Sequence, residues 1–199
     1  MSLNADAAKS IRPLVSVCIP VYNGESLISE CISSVLEQIY NRYELLIVDN
    51  GSTDKTAEII AKFRDPRIRY VRNEVNIGSI ANFNRCLELA RGELFFLLPH
   101  DDRLHPNSLS TFVAVFDDYP DVGLVYSAFY TIDQAGDQLD FVANHSEDKL
   151  LPGPDTIRDV VDHFHPIQLP MARTSILRSL GGFDSTFACF TDIHLWVRV

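Results

Sequence analysis

Through the first hundred residues, apolar runs that read as strands alternate with segments of helical periodicity, and three of those runs end in polar clusters. Residues 15–19 form the first run, stopped at Pro20, and Leu27, Ile28, Cys31, Ile32, Val35, Leu36 and Ile39 follow at helical spacing after Asn23-Gly24. Residues 45–48 lead to a helix with Ala57, Ile59, Ile60 and Phe63 as its apolar positions. Residues 68–71 lead to one marked by Ile80, Phe83, Leu87 and Ala90 and ended by Arg91-Gly92. Residues 94–98 are wholly apolar, so this strand is expected to be central. The alternation predicts an α/β fold, a mostly parallel central sheet with helices on both faces.

After residue 105 the pattern changes. A helix is expected over 107–116, a strand over 122–126, and a hairpin that pairs 129–132 with 138–142 around Ala135-Gly136. A helix around 156–163, an extended stretch at 167–171 and a short helix at 174–180 precede Gly181-Gly182. A chain of 199 residues suits one domain, expected over 14–199, with the polar, Ala-rich start (1–13) set apart as a flexible leader.

In parallel sheets ligands bind at the carboxyl ends of the strands. Tyr22-Asn23, Asp49 to Asp54, and His100 to Asp102 all lie at such ends and are expected to converge. No GxxxxGK[ST] or GxGxxG follows the first strand, so P-loop and dinucleotide folds are poor readings. The converging groups are the carboxylates Asp49, Asp54, Asp101 and Asp102, which would repel a diphosphate unless a hard cation lay between. Mg²⁺ or Mn²⁺, held by one or two carboxylates and phosphate oxygens, fits that need.

Each cluster also has a structural reading. Asp49-Asn50-Gly51-Ser52 suits a turn followed by a helix cap, and Tyr22 suits ordinary packing. Two adjacent acids directly after the most apolar strand favour function over a solvated loop. His163-x-His165 invites zinc, but no Cys or Glu completes a set. His100 is placed to touch phosphate, whereas His105 and His145 carry no signal.

The net charge of −10, with 27 acidic and 17 basic residues and no Lys/Arg-rich run, argues against nucleic acid or anionic lipid as a partner. Cys18, Cys31, Cys86 and Cys189 form no CxxC pair and read as reduced core cysteines of a cytosolic protein. The longest apolar run, 94–98, is too short to cross a bilayer.

Four motifs occur in order: VSVCIPVYNGE (15–25), LLIVDNGSTDKT (45–56), NIGSIANFNRCLELARGELFFLLPHDD (76–102) and GGFDSTFACFTDIHLWVRV (181–199). In these the chain resembles the family-2 glycosyltransferases, which have the glycosyltransferase-A fold. The resemblance implies a nucleotide-binding half over about 14–105 and a smaller acceptor-side β/α half over 106–199. It implies that Pro20, Val21 and Tyr22 line the base and ribose pocket, that Asp49 hydrogen-bonds the base, usually uracil, and that Asn50, Gly51 and Ser52 shape that loop. Asn76 and Gly78 would border the nucleotide. Asp101 matches the second acid of the family's Asp-x-Asp motif and would bind the metal, with Asp102 beside it. Asp192 holds the position of the catalytic base, and Asp184 is the runner-up.

The chain departs from the family pattern at Pro99, where many members carry the first acid of that motif, and at Thr191, where a Glu commonly precedes the catalytic Asp. Many members also continue past the position of Val199 with acceptor-binding helices or membrane-associating segments, so a C-terminal truncation is an expectation here.

The implied activity is inverting transfer of a sugar from a UDP- or dTDP-linked donor to an acceptor hydroxyl, with Mn²⁺ or Mg²⁺ as cofactor. The implied acceptor is a carbohydrate or lipid-linked saccharide, with the protein in the cytoplasm or at the inner face of the membrane, peripherally associated at most. Two other classes stay open: a non-catalytic nucleotide-sugar-binding domain and a sugar nucleotidyltransferase. The second commonly shows a Gly-rich, basic segment after the first strand, which Tyr22-Asn23-Gly24-Glu25 lacks.

Overall fold

The computed structural model describes residues 15–133, 136–143, 145–163 and 167–199. Its first half runs β1 (Val15–Val21), α1 (Ile28–Leu36), β2 (Tyr43–Asp49), α2 (Thr56–Ile60), β3 (Ile68–Arg72), α3 (Ser79–Leu89) and β4 (Leu94–Leu97). Then come α4 (Ser108–Asp118), β5 (Leu124–Val125), β6 (Phe129–Ile132), β7 (Gln138–Val142), α5 (Gly153–His163), β8 (Met171–Arg173), α6 (Thr174–Ser179), a 3₁₀ turn (Ser185–Phe190) and α7 (Thr191–Trp196). The main sheet has the order β3-β2-β1-β4-β8-β5, and β6 and β7 pair separately.

β3, β2, β1 and β4 are mutually parallel, as the alternating pattern requires. All of β1, β2 and β4 is buried, because helices cover both faces. Val15, Val17, Ile19, Val21, Leu45, Ile47, Leu94 and Phe96 pack with α1, α2 and α4. Cys18, Leu46, Val48, Phe95 and Leu97 point the other way, towards α3, α6 and α7, by the two-residue period of a strand. Phe95 and Phe96 have no exposed surface, and burial of each contributes roughly 1.5–3 kcal/mol.

Pro20 does not end the first strand, which continues to Val21. Cys18 accepts from Leu98 N–H on the β4 side, so Pro20, two residues on, turns its missing N–H the same way. The last β4 rung is Cys18 with Leu97, so no ladder bond is lost.

The second half differs more from expectation. The strand expected at 122–126 shrinks to Leu124–Val125, and that near 167–171 forms at Met171–Arg173. Both pair antiparallel, β8 against β4 and β5 against β8, which extends the sheet by two short strands. The helix expected from Ala57 to Phe63 ends at Ile60. The expected hairpin of β6 and β7 is present, with a register shift between Tyr130 and Ile132.

Cys18, Cys31 and Cys86 are free, buried thiols, and the Cys189 side chain lies outside the described residues. So does His165, the second half of the His-x-His pair. Among the described residues no helix is long and apolar enough to cross a membrane.

Candidate active site

The loops after β1, β2 and β4 meet at the carboxyl edge of the sheet. Asn23 N–H donates to Ser52 Oγ (3.0 Å), and Thr53 N–H donates back to Asn23 Oδ1 (2.8 Å). Gly24 N–H donates to Thr56 Oγ1 (2.9 Å), Glu25 N–H to Asp54 Oδ2 (3.0 Å), and Lys55 N–H to Glu25 Oε2 (3.0 Å). The β4 loop closes on the same place, since a Cβ on Gly24 would stand 2.6 Å from His100 Cδ2. Gly51, at φ +76°, lets the β2 loop lie against the Val75 backbone, where a Cβ would come within 2.9 Å of its carbonyl carbon. Pro20 and Val21 are buried strand residues, so of the expected pocket lining it is Tyr22, 43% exposed, that offers a surface.

The carboxylates divide into committed and free. Asp49 is fully buried; its Oδ1 accepts from Ser52 N–H (2.8 Å), and its Oδ2 accepts from the Tyr70 hydroxyl (2.6 Å) and lies 3.6 Å from Arg72 Nε. Burial, then the bond to Asp49, raises the Tyr70 phenol above its ordinary range. Asp54 is also occupied, by Thr56 N–H (3.0 Å), the Thr56 hydroxyl (2.5 Å) and Glu25 N–H. Burial acts to raise its carboxyl, but these donors outweigh it and hold the group below the usual range. Asp49 and Asp54 therefore brace the loops.

Asp101 and Asp102 accept no hydrogen bond and form no ion pair among the described residues. Their loop rests on α1 and the turn after it. Cys31 Sγ–H donates to Pro99 O (3.5 Å), Leu104 N–H to Ser34 Oγ (3.1 Å), and Gln38 Nε2 to His105 O (2.8 Å); Arg103 pairs with Glu30. Burial, and then the charge of Asp101, pushes the Asp102 carboxyl up to about 6. Among the described residues no three His, Cys, Asp or Glu side chains group to hold a metal. Two adjacent hard-oxygen donors that repel each other nonetheless suit Mn²⁺ or Mg²⁺ with a shell completed by phosphate and water.

The raised carboxyl has a measurable consequence. The folded chain holds this proton more tightly than the unfolded chain, whose Asp titrates near ~3.9. The associated stability is present below that value and is lost as pH rises through about 6. Asp102→Asn in metal-free buffer is expected to melt roughly 2–4 °C above the parent at pH 7.5 and to lose most of that advantage at pH 4. An equal offset at both pH values would contradict the assignment.

Towards the C-terminal segment, the Asn84 amide grips the Gly181-Gly182-Phe183 turn: Nδ2 donates to Phe183 O and Oδ1 accepts from Phe183 N–H, both at 2.8 Å. Asp184 caps the 3₁₀ turn by accepting from Thr186 N–H (2.8 Å), and Thr186 holds its carboxyl below the usual range. Asp192 is the second residue of α7, half-buried, and no described residue hydrogen-bonds or pairs with its carboxylate. The His194 ring stacks on Phe187 at 3.8 Å between centroids.

Sequence reading overlooked the end of the third strand. Tyr70 and Arg72 share one face of β3 by the two-residue period and reach Asp49 across the sheet. Arg72 also donates from Nη2 to Ser52 O (2.7 Å). Asn73 follows, buried and bonded to Asn50. The signal was Arg72-Asn73 at a carboxyl end, like the other three clusters.

The sequence profile of Glycosyl transferase family 2 matches residues 16–176. A Mycobacterium tuberculosis protein, MT1568, is 34% identical over 200 residues that cover 94% of this chain and 62% of that protein. An uncharacterized glycosyltransferase of Rickettsia typhi, RT0329, is 31% identical over 94% of this chain and 58% of its own length. The chain thus spans about three-fifths of these relatives. The fold is that of S. aureus TarS 1-349 in complex with UDP, with TM-score 0.71 and 21% identity over 91% of this chain and 53% of that one. The mannosyltransferase PcManGT of Pyrobaculum calidifontis, in complex with GDP-Man and Mn²⁺, gives TM-score 0.63 and 23% identity, covering 92% and 49%.

Proposed function

The chain belongs to glycosyl transferase family 2, and from that premise we propose that it moves a sugar from a nucleoside-diphosphate sugar, UDP- or dTDP-linked, to an acceptor hydroxyl with inversion. The observation that carries this reading is the division of the acids. Asp49, Asp54 and Asp184 already accept hydrogen bonds from their surroundings, while Asp101, Asp102 and Asp192 accept none among the described residues. Free carboxylates are needed at two places in such a reaction, and structural ones at neither.

The acceptor oxygen attacks the anomeric carbon as the bond to the diphosphate oxygen breaks, and the hydroxyl proton passes to the Asp192 carboxylate. Asp101 and Asp102 would hold Mn²⁺ or Mg²⁺, which supplies counter-charge to the departing diphosphate. The donor nucleotide lies over Tyr22, Gly51, Ser52, Asn76 and Gly78, with His100 near the phosphates. Asp49 is fully covered, so it serves the base by holding Tyr70 and Arg72, both partly exposed, at the pocket wall. A similar fold with UDP bound supports a uridine donor. The acceptor in this reading is a carbohydrate or lipid-linked saccharide of a cell-surface polysaccharide.

The test is release of free nucleotide and transfer of sugar from a panel of UDP-, dTDP- and GDP-sugars, with Mn²⁺ or with excess chelator. Turnover of UDP- or dTDP-sugars that chelator abolishes is expected. A clear preference for a GDP-sugar would overturn the donor reading, undiminished turnover in chelator the metal reading, and production of pyrophosphate the reaction class.

A further inference from the structure

Three buried asparagines form a chain of amides behind the nucleotide loop, and none of them faces solvent. Asn50, Asn73 and Asn82 are 3%, 8% and 2% exposed. Asn82 Nδ2 donates to Val48 O (3.0 Å), and its Oδ1 accepts from Asn73 Nδ2 (2.9 Å). Asn73 Nδ2 also donates to Asn50 Oδ1 (2.9 Å). Asn50 then spends its remaining capacity on the loop before α3. Its Oδ1 accepts from Ile77 N–H (3.0 Å), and its Nδ2 donates to Asn76 Oδ1 (2.8 Å) and Gly78 O (3.2 Å). An asparagine amide has two donor hydrogens and an oxygen that accepts twice, so Asn50 is saturated.

Apart from one internal bond, Gly78 N–H to Asn76 Oδ1 (2.9 Å), and the contact of Gly51 with the Val75 backbone, Asn50 is what ties this loop to the core. Val75 and Ile77 are 66% and 43% exposed, and Asn76, Gly78 and Ser79 also face solvent. Gly78 precedes α3 at φ +87° without a side-chain cap. An apolar residue at 73 or 82 could fill the core equally well. It could not turn the Asn50 amide so that oxygen meets Ile77 and nitrogen meets Gly78.

We propose that Asn73 and Asn82 are positioning residues for donor binding: through Asn50 they pre-form residues 76–78 in the shape that receives the nucleotide. The inference rests on the donor site proposed above. A loop already ordered loses less entropy when ligand binds, so breaking the relay weakens binding without removing any atom that touches the nucleotide.

UDP with Mn²⁺ is titrated calorimetrically into the parent, Asn73→Ala, Asn82→Ala and a core variant of matched melting temperature on the opposite face of the sheet, Val113→Ala. Asn73→Ser replaces the alanine variant should that one fail to fold. Amide exchange at Ile77 and Gly78 is followed in parallel. Both asparagine variants are expected to bind UDP about tenfold more weakly, with faster exchange at Ile77 and Gly78 and unchanged exchange in β4, while Val113→Ala binds as the parent does. Unchanged UDP affinity in the asparagine variants, or an equal loss in Val113→Ala, would overturn the inference alone. A parent that binds neither UDP nor GDP would overturn the donor reading, and the inference with it.

Discussion

Asp192→Asn is expected to fold, to bind UDP with Mn²⁺ as the parent does, and to lose at least about a hundredfold in transfer rate, the low end for loss of a general base. Asparagine keeps the shape of the side chain and removes its ability to accept a proton. The fold should not notice, since α7 is anchored elsewhere. Leu195 is fully buried, and Trp196 meets Phe183 edge-on at 5.6 Å. The competing groups are excluded by their surroundings. Asp184 already accepts from Thr186, and His194 lies flat against Phe187. Asp101 and Asp102 would face the leaving diphosphate, on the wrong side of the sugar for a base. Single-turnover transfer with radiolabelled donor separates the chemical step from binding. Near-parental transfer in the variant would return Asp192 to a purely structural place in α7.

Asp49→Ala is expected to lower stability by about 3 kcal/mol and to abolish measurable UDP binding together with it. The substitution strips partners from Ser52 N–H and the Tyr70 hydroxyl and leaves Arg72 without its counter-charge. Each buried donor left unpaired costs about 1–3 kcal/mol. From the sequence, this position is expected to act on the base far more than on folding. The buried carboxylate makes the two effects inseparable, because the groups that would line the pocket are the groups it holds. Tyr70→Phe discriminates, since it removes one bond to Asp49 and leaves the ring. Its stability loss should be near 1 kcal/mol, with UDP affinity reduced severalfold. Urea melts of both variants and calorimetry of the second provide the check. An Asp49→Ala protein as stable as the parent would mean that the carboxylate is not the brace the geometry makes it.

Much of this molecule was legible because its periodicities are local. The strands at Val15, Leu45, Ile68 and Leu94, the helices between them and the hairpin of β6 and β7 follow from which residues recur every two or every three to four positions. That the loops after β1, β2 and β4 would meet also followed, since parallel strands must end on one edge. The motifs resembling family 2 then assigned those loops to a nucleotide sugar, and the profile match over residues 16–176 bears out the family.

What no local pattern carries is the state of each carboxylate. Asp49, Asp54, Asp101 and Asp102 look alike as letters at strand ends. Asp49 is occupied because Tyr70 reaches it from twenty-one positions away, and Asp54 because the Glu25 amide does so from twenty-nine. Asp101 and Asp102 have no partner among the described residues because α1 and the turn after it hold their loop through Cys31, Ser34 and Gln38 rather than through the acids themselves. The bounds and pairing of β5 and β8 were hidden for a similar reason: runs of two and three residues have no period to read, and only the pairing of β8 with β4 and of β5 with β8 fixes where in the expected 122–126 and 167–171 stretches the strands lie. The asparagine relay behind Gly78 lies in the same category. Hydrogen-bond partners are chosen by tertiary proximity, so the sequence determined which polar groups reach the sheet's edge, and the packed fold decided which of them remain available to a ligand.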